Sequence, residues 1–235
     1  MPHIAIDVET TGLEVSGSEP SEIVQIGAYC LHQETMAPTA RRFEVKMPIM
    51  HPERVQPNTM GIYNTYDEAV WKGQAVSPDQ GWKMLVDFLH ECSGGGIAKN
   101  ILVGHNVPKF DYQLIDRWSR HYGVTLPCDY NVLDTLTTFN TWKMVTGSTI
   151  RNLSLKTMAK AFGVENPHAH DALCDAWTEG MCYALCLNDL RARMQCDPGW
   201  SDADYLDEAY RRIGAPRNGK CMPLLNPDML IAFSL

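Results

Sequence analysis

Runs of alternating or continuously apolar residues come first along the chain. HIAIDVE (3–9), IVQIGAYCLH (23–32) and RRFEVK (41–46) each predict a strand, separated by turn formers such as TTGLEVSGSEPSE. Their connections are too short for a helical crossover, so an antiparallel meander is expected. The period then lengthens. Trp82, Leu85, Val86 and Leu89 recur at helical spacing in DQGWKMLVDFLHECSGGG, which ends in a glycine stop. ILVG (101–104) predicts a short buried strand, and KFDYQLIDRWSRHYG a helix with Phe110, Leu114, Trp118 and Tyr122 on one stripe. NVLD (131–134) predicts another strand. Helices follow over LSLKTMAKAFG and HDALCDAWTEGMCYALCLNDL, the latter packing through Leu173, Trp177, Met181 and Leu185. A meander followed by alternating strand and helix predicts an α/β fold, a mixed sheet covered by helices.

After about residue 190 the text becomes turn-rich (MQCDPGW, GAPRNGK, LLNPDM), and only SDADYLDEAYRRIG looks helical. We therefore divide the chain into a domain over 1–189 and an extension over 190–235 wrapped on it. At 235 residues, 45% apolar and 20% charged, the chain is long enough to bury a substantial core and is not disordered. No stretch approaches the roughly 18 uninterrupted apolar residues of a membrane span. The N-terminus enters a strand with no leader pattern, so a cytoplasmic location is expected. Eight scattered cysteines without a CxxC pair favour reduced, mostly buried thiols over a disulfide framework or zinc site. The net charge of −8 argues against a protein that grips long duplex DNA through its overall field. Acids gathered round bound cations would add to that negative sum while offering a ligand a neutral or positive site.

Three pieces carry candidate chemistry. Strand alternation puts Ala5, Asp7 and Glu9 on one face, the two carboxylates about 7 Å apart. The plain alternative is an edge strand with its acids in solvent. ILVGHNVPKFDYQL is a strand that ends in a tight loop and delivers Asp111 into the first turn of a helix, where the helix dipole favours an ionised acid and a merely structural aspartate is common. His105 and Asn106 sit at that strand end, where sheet proteins hold working groups. In HAHDALCDAWTEG, His170 precedes a helix that contains Asp175. Five helical residues turn about 500°, so the pair can meet only if His170 belongs to the loop and bends back. His168 competes for the role, and a cap or surface histidine is the ordinary reading.

In order and context, DVETTGLE, HNVPKFD and HDALCD resemble the three motifs of the DEDDh branch of the DnaQ-like 3′→5′ exonucleases, which have an RNase H-like fold. The resemblance runs over residues 4–186 and includes LDTL (133–136) and PERVQPNTMGI. It implies an RNase H-like mixed five-stranded sheet whose first three strands are antiparallel. It further implies that Asp7, Glu9, Asp111 and Asp175 hold two Mg²⁺ or Mn²⁺ ions, Asp7 bridging both, and that His170 orients or deprotonates the attacking water. Oxygen ligands suit such hard cations, and four carboxylates crowded without metal would repel one another. The tyrosine-based sister branch would need Tyr where this chain has Asp171.

By the same resemblance, Thr10, Thr11, Gly12 and Leu13 would contact the terminal nucleotide, with Asn106 and Phe110 as substrate-side neighbours. The partner implied is the 3′ end of a single strand, with DNA favoured. RNA-end trimming and a non-catalytic binding module stay open as alternatives, although all five active positions are filled. For residues 190–235 three roles stay open: clamping substrate, mediating a homodimer, or docking on a polymerase or other replication partner.

Overall fold

The computed structural model describes residues 1–57, 71, 73–95, 99–196 and 198–217. Its sheet has five strands, β1 (His3–Thr10), β2 (Ile23–Leu31), β3 (Pro38–Lys46), β4 (Ile101–Gly104) and β5 (Leu133–Asp134), in the order β3-β2-β1-β4-β5. β1, β2 and β3 pair antiparallel, while β4 lies parallel to β1, and β5 parallel to β4. The mixed sheet with an antiparallel first half is the RNase H-like arrangement the motifs imply.

Alternation along β1 sorts its side chains between two cores. Ile4, Ile6 and Val8 pack with Trp82, Leu85, Phe88 and Leu89 of α1 (Pro78–Cys92) and with Leu114 and Ile115 of α2 (Asp111–His121). Ala5, on the opposite face, packs with Leu173, Ala176 and Ala184 of α5 (Ala172–Gln195). Asp7 and Glu9 share the phase of Ala5, so they belong to the face that α5 covers. A third core joins α3 (Thr135–Thr146), α4 (Leu155–Phe162), α5 and α6 (Asp202–Ile213) through Phe139, Met158, Phe162, Leu185 and Tyr210.

The sequence reading missed α3. Its twelve residues include five threonines, whose branching lowers helix propensity, and helix formation is carried instead by its ends and its packing. Asp134 caps the first turn by accepting the amides of Leu136 and Thr137, Gly147 closes the helix at φ 69°, and Phe139 is fully buried. β3 begins three residues earlier than the alternation indicates, and β5 keeps only two residues of NVLD. α5 runs unbroken through residue 190 to Gln195, and α6 docks on it and on the end of α4, where Tyr210 donates its hydroxyl to the Phe162 carbonyl at 2.7 Å. Residues 58–62 of PERVQPNTMGI and residues 218–235 of the extension lie outside the described residues.

One glycine sets how closely α5 approaches the sheet. Gly27 stands opposite Asp7 in the β1–β2 register, and a Cβ there would lie 2.3 Å from the backbone of Ala172 and Leu173. Those are backbone atoms at the start of α5, which no rotamer change can move away. Gly27→Ala is therefore expected to destabilise the protein by about 2–3 kcal/mol. Urea unfolding of the variant checks this; a midpoint equal to wild type would show that the helix start is not held against the strand.

Candidate active site

The site lies where β1 ends, β4 delivers its loop and α5 begins. β1 and β2 shift register between Glu9 and Thr10, an irregularity of the kind that re-aims side chains beside working sites. Gln25, opposite Glu9 and fully buried, ties the strands to the helix. Its amide donates to Glu44 at 2.9 Å and Asp171 at 3.1 Å, and its carbonyl oxygen accepts the Ala172 amide at 3.4 Å. Asp171 in turn caps α5 by accepting the Cys174 amide.

His170 sits in the preceding loop with φ 68°, a left-handed conformation uncommon outside glycine. That twist bends the loop back over the helix, as convergence with Asp175 requires. The His170 amide donates to Asp175 Oδ2 at 2.9 Å, and the Asn166 side chain donates to Oδ1. One ligand atom from each of Glu9, His170 and Asp175 lies within 4.8 Å of the other two. His168 is exposed, stands outside this group and contributes only a backbone carbonyl to the Asp171 amide.

Asp111 opens α2 and is 4% exposed, its Oδ1 accepting the Val8 amide of β1 at 3.2 Å. Asp7, two residues before Glu9 on β1, is within electrostatic reach of Glu179, Asp111, Asp175 and Glu9, and like Asp111 it stands outside the close group of Glu9, His170 and Asp175. Burial pushes the Asp7 carboxyl well above the usual range, and the neighbouring negative charges push it further. Burial, then Asp175, raises Glu9 to about 8. Burial raises Asp111 to about 7 against the opposing pull of the Val8 and Asp111 amides, and raises Asp175 despite its bonds from His170 and Asn166. Among the described residues no lysine or arginine forms an ion pair with any of these acids.

The remaining residues of the reading divide. Leu13 is 72% exposed, while Thr10 and Thr11 are buried. The Thr11 amide donates to Glu22 and the Leu13 amide to Gln56, so both are engaged inside the protein. A Cβ on Gly12 would lie 2.6 Å from the Gln56 side chain, which explains glycine in this turn. Asn106, at φ 64°, bonds its amide to Asp134. Phe110 precedes α2 and packs partly against the main core.

Three residues escaped the sequence reading. Gln25 and Asn166 hold α5 and Asp175 in place, and a lone glutamine inside the apolar run IVQIGAY was the available signal for the first. Glu179, four residues after Asp175, is 2% exposed; its carboxylate accepts the His105 amide, and its Oε2 has no hydrogen-bond partner among the described residues. Several buried carboxylates, an imidazole, an orphaned oxygen and no organic cation make a donor set that fits hard divalent cations.

A five-stranded mixed sheet carrying these acids is the frame of an RNase H-like nuclease. The exonuclease (RNase_T) family model matches residues 4–179, and the chain belongs to that family. Its fold is similar to that of Escherichia coli exonuclease I in complex with a dT13 oligonucleotide, with TM-score 0.64 and 15% identity over 82% of this chain and 42% of that one. A further exonuclease I structure, one bearing on processivity, gives TM-score 0.61 and 13% identity over 88% of this chain and 42% of that one. The zinc-bound E. coli exonuclease I–ssDNA complex gives 0.60 and 15% over the same shares. The chain thus spans less than half the length of these structures. No curated protein sequence matches it. No described helix is long and apolar enough to cross a membrane.

The raised carboxyls fix the sign of a pH effect. Glu9 and Asp111 bind protons more tightly folded than unfolded, so the metal-free protein loses stability as pH climbs from about 4, the ordinary carboxyl range, to about 8. Melting temperatures in EDTA should fall between pH 5.5 and 8, and Mg²⁺ should recover most of the loss at pH 8. A flat profile in EDTA would contradict the crowding.

Proposed function

We propose that the chain is a DEDDh-type 3′→5′ exonuclease that shortens single strands from their 3′ ends, with DNA favoured over RNA. The observation that supports this is the meeting of Glu9, His170 and Asp175 within 4.8 Å of one another, beside Asp7 and Asp111 and without an organic counter-ion. Single-stranded DNA as substrate follows the likeness in fold to exonuclease I, whose complexes hold such oligonucleotides. In this reading residues 1–189 form the exonuclease module. Residues 190–235 form an extension available to a second copy or a replication partner.

Asp7, Glu9, Asp111 and Asp175 would hold two Mg²⁺ or Mn²⁺ ions. When bound, such ions supply Lewis-acid activation of water and relieve charge on the departing 3′ oxygen. The chain's own residues do the rest. His170, twisted back by its loop, keeps an imidazole nitrogen next to Glu9 and Asp175, where it can orient a water and accept its proton. Asn166 and the His170 amide bond both oxygens of Asp175, so its carboxylate cannot rotate away. Asp111 is held by the Val8 amide, which locks α2 to the strand that bears Asp7. Leu13, projecting into solvent beyond the strand end, is suited to wedge against a terminal base.

The test uses 5′-labelled ssDNA, matched ssRNA and a 3′-blocked ssDNA with Mg²⁺. Wild type should yield a ladder shortening from the free 3′ end of DNA and spare the blocked strand. Asp7→Asn should retain the fold and lose about a thousand-fold in rate, about 4 kcal/mol at ~1.36 kcal/mol per decade. Faster loss of RNA would move the assignment to an exoribonuclease. No cleavage of either polymer would leave a binding module.

A further inference from the structure

We propose that Glu179 is a fifth acid of the cation pocket, adding its charge to that of Asp7 and tightening the hold on divalent ions. It lies one helical turn beyond Asp175 and on the same face of α5, about 6 Å further along the axis. This rests on the exonuclease reading of the pocket but concerns a position that none of the three motifs includes.

The geometry sets Glu179 apart from a structural acid. It is 2% exposed, and the His105 amide just past the end of β4 donates to its carboxylate while Oε2 has no hydrogen bond among the described residues. Gly104 makes room for it: a Cβ on that residue would lie 3.3 Å from Oε2 and 2.8 Å from the Ile6 carbonyl oxygen. The space between β1, β4 and α5 therefore holds a carboxylate where a side chain on β4 would otherwise stand. Asp7 is next along β1 from Ile6, and its carboxyl is raised by burial first and then by the charge of Glu179.

Asp189, ten residues on in the same helix and 1% exposed, shows what a structural buried acid looks like in this protein. Its Oδ2 accepts Arg193 at 2.7 Å and the Trp142 indole at 2.8 Å. Among the described residues Glu179 has no cation and no second donor. A buried acceptor left without a donor weakens the fold, and a charged one weakens it more, so an acid kept in this position is explained by a partner from outside the chain. The other acids around it leave a cation as the complementary species, and the number of charged ligands is what tunes affinity in oxygen-lined sites.

The experiment titrates Mn²⁺ into metal-free protein and follows the electron paramagnetic resonance signal of the free ion, with no substrate present. Wild type, Glu179→Gln and Asp189→Asn are compared. Glu179→Gln should weaken the Kd by on the order of ten-fold while keeping the His105 contact. Asp189→Asn should melt earlier and keep wild-type affinity. If the glutamine variant does not fold, Glu179→Met, of similar size and without an oxygen to orphan, should show the same weakening. Wild-type affinity in a folded Glu179 variant would overturn the proposal. No uptake by wild type would overturn the pocket reading itself, and this proposal with it.

Discussion

Electrostatic crowding governs this structure. Asp7, Glu9, Asp111, Asp175 and Glu179 come from three separate parts of the chain, four of them buried and Asp7 partly so, and among the described residues no lysine or arginine pairs with them. Burial pushes each carboxyl upward; neighbouring negative charges push Asp7, Glu9 and Glu179 further, while bonds from backbone and side-chain donors pull Asp111 and Asp175 back only in part. A fold does not gather negative charge in this way for stability, since each such group weakens the folded state at neutral pH. The arrangement makes physical sense when a positive species of matching hardness completes it.

The scaffold holds the acids against their own repulsion. Gly27 lets the start of α5 approach the sheet, Gln25 binds the residue that caps that helix, and the positive φ of His170 turns the loop back over Asp175. Behind them the two faces of β1 are locked into separate hydrophobic cores, so Asp7 and Glu9 cannot rotate to solvent without exposing Ile6 and Val8. Strain and repulsion at the site are thus opposed by packing elsewhere, the usual arrangement in a catalytic centre.

Much of this was legible in the residue pattern because the pattern and the physics have the same period. Two-residue alternation located β1 and placed Asp7 and Glu9 together, and the five-residue gap between His170 and Asp175 demanded the loop reversal that the structure has. What was hidden depended on tertiary neighbours. The threonine-rich α3 is stabilised by the Asp134 cap and buried Phe139, which local propensity does not report. Glu179 in WTEGM reads as an ordinary helix acid, and its burial arises only where α5 crosses Gly104 of β4. Gln25 and Asn166 likewise gain their roles from partners more than a hundred and nine residues away in sequence, respectively.

The central claim is that these acids form one pocket for divalent cations. Crystals grown with Mn²⁺ and measured at its absorption edge test it most directly, because anomalous scattering locates the ion independently of turnover. The account predicts anomalous peaks within about 2.0–2.4 Å of carboxylate oxygens of Asp7 and Glu9. A map with no peak at these acids, at Mn²⁺ concentrations that populate other sites, would contradict it.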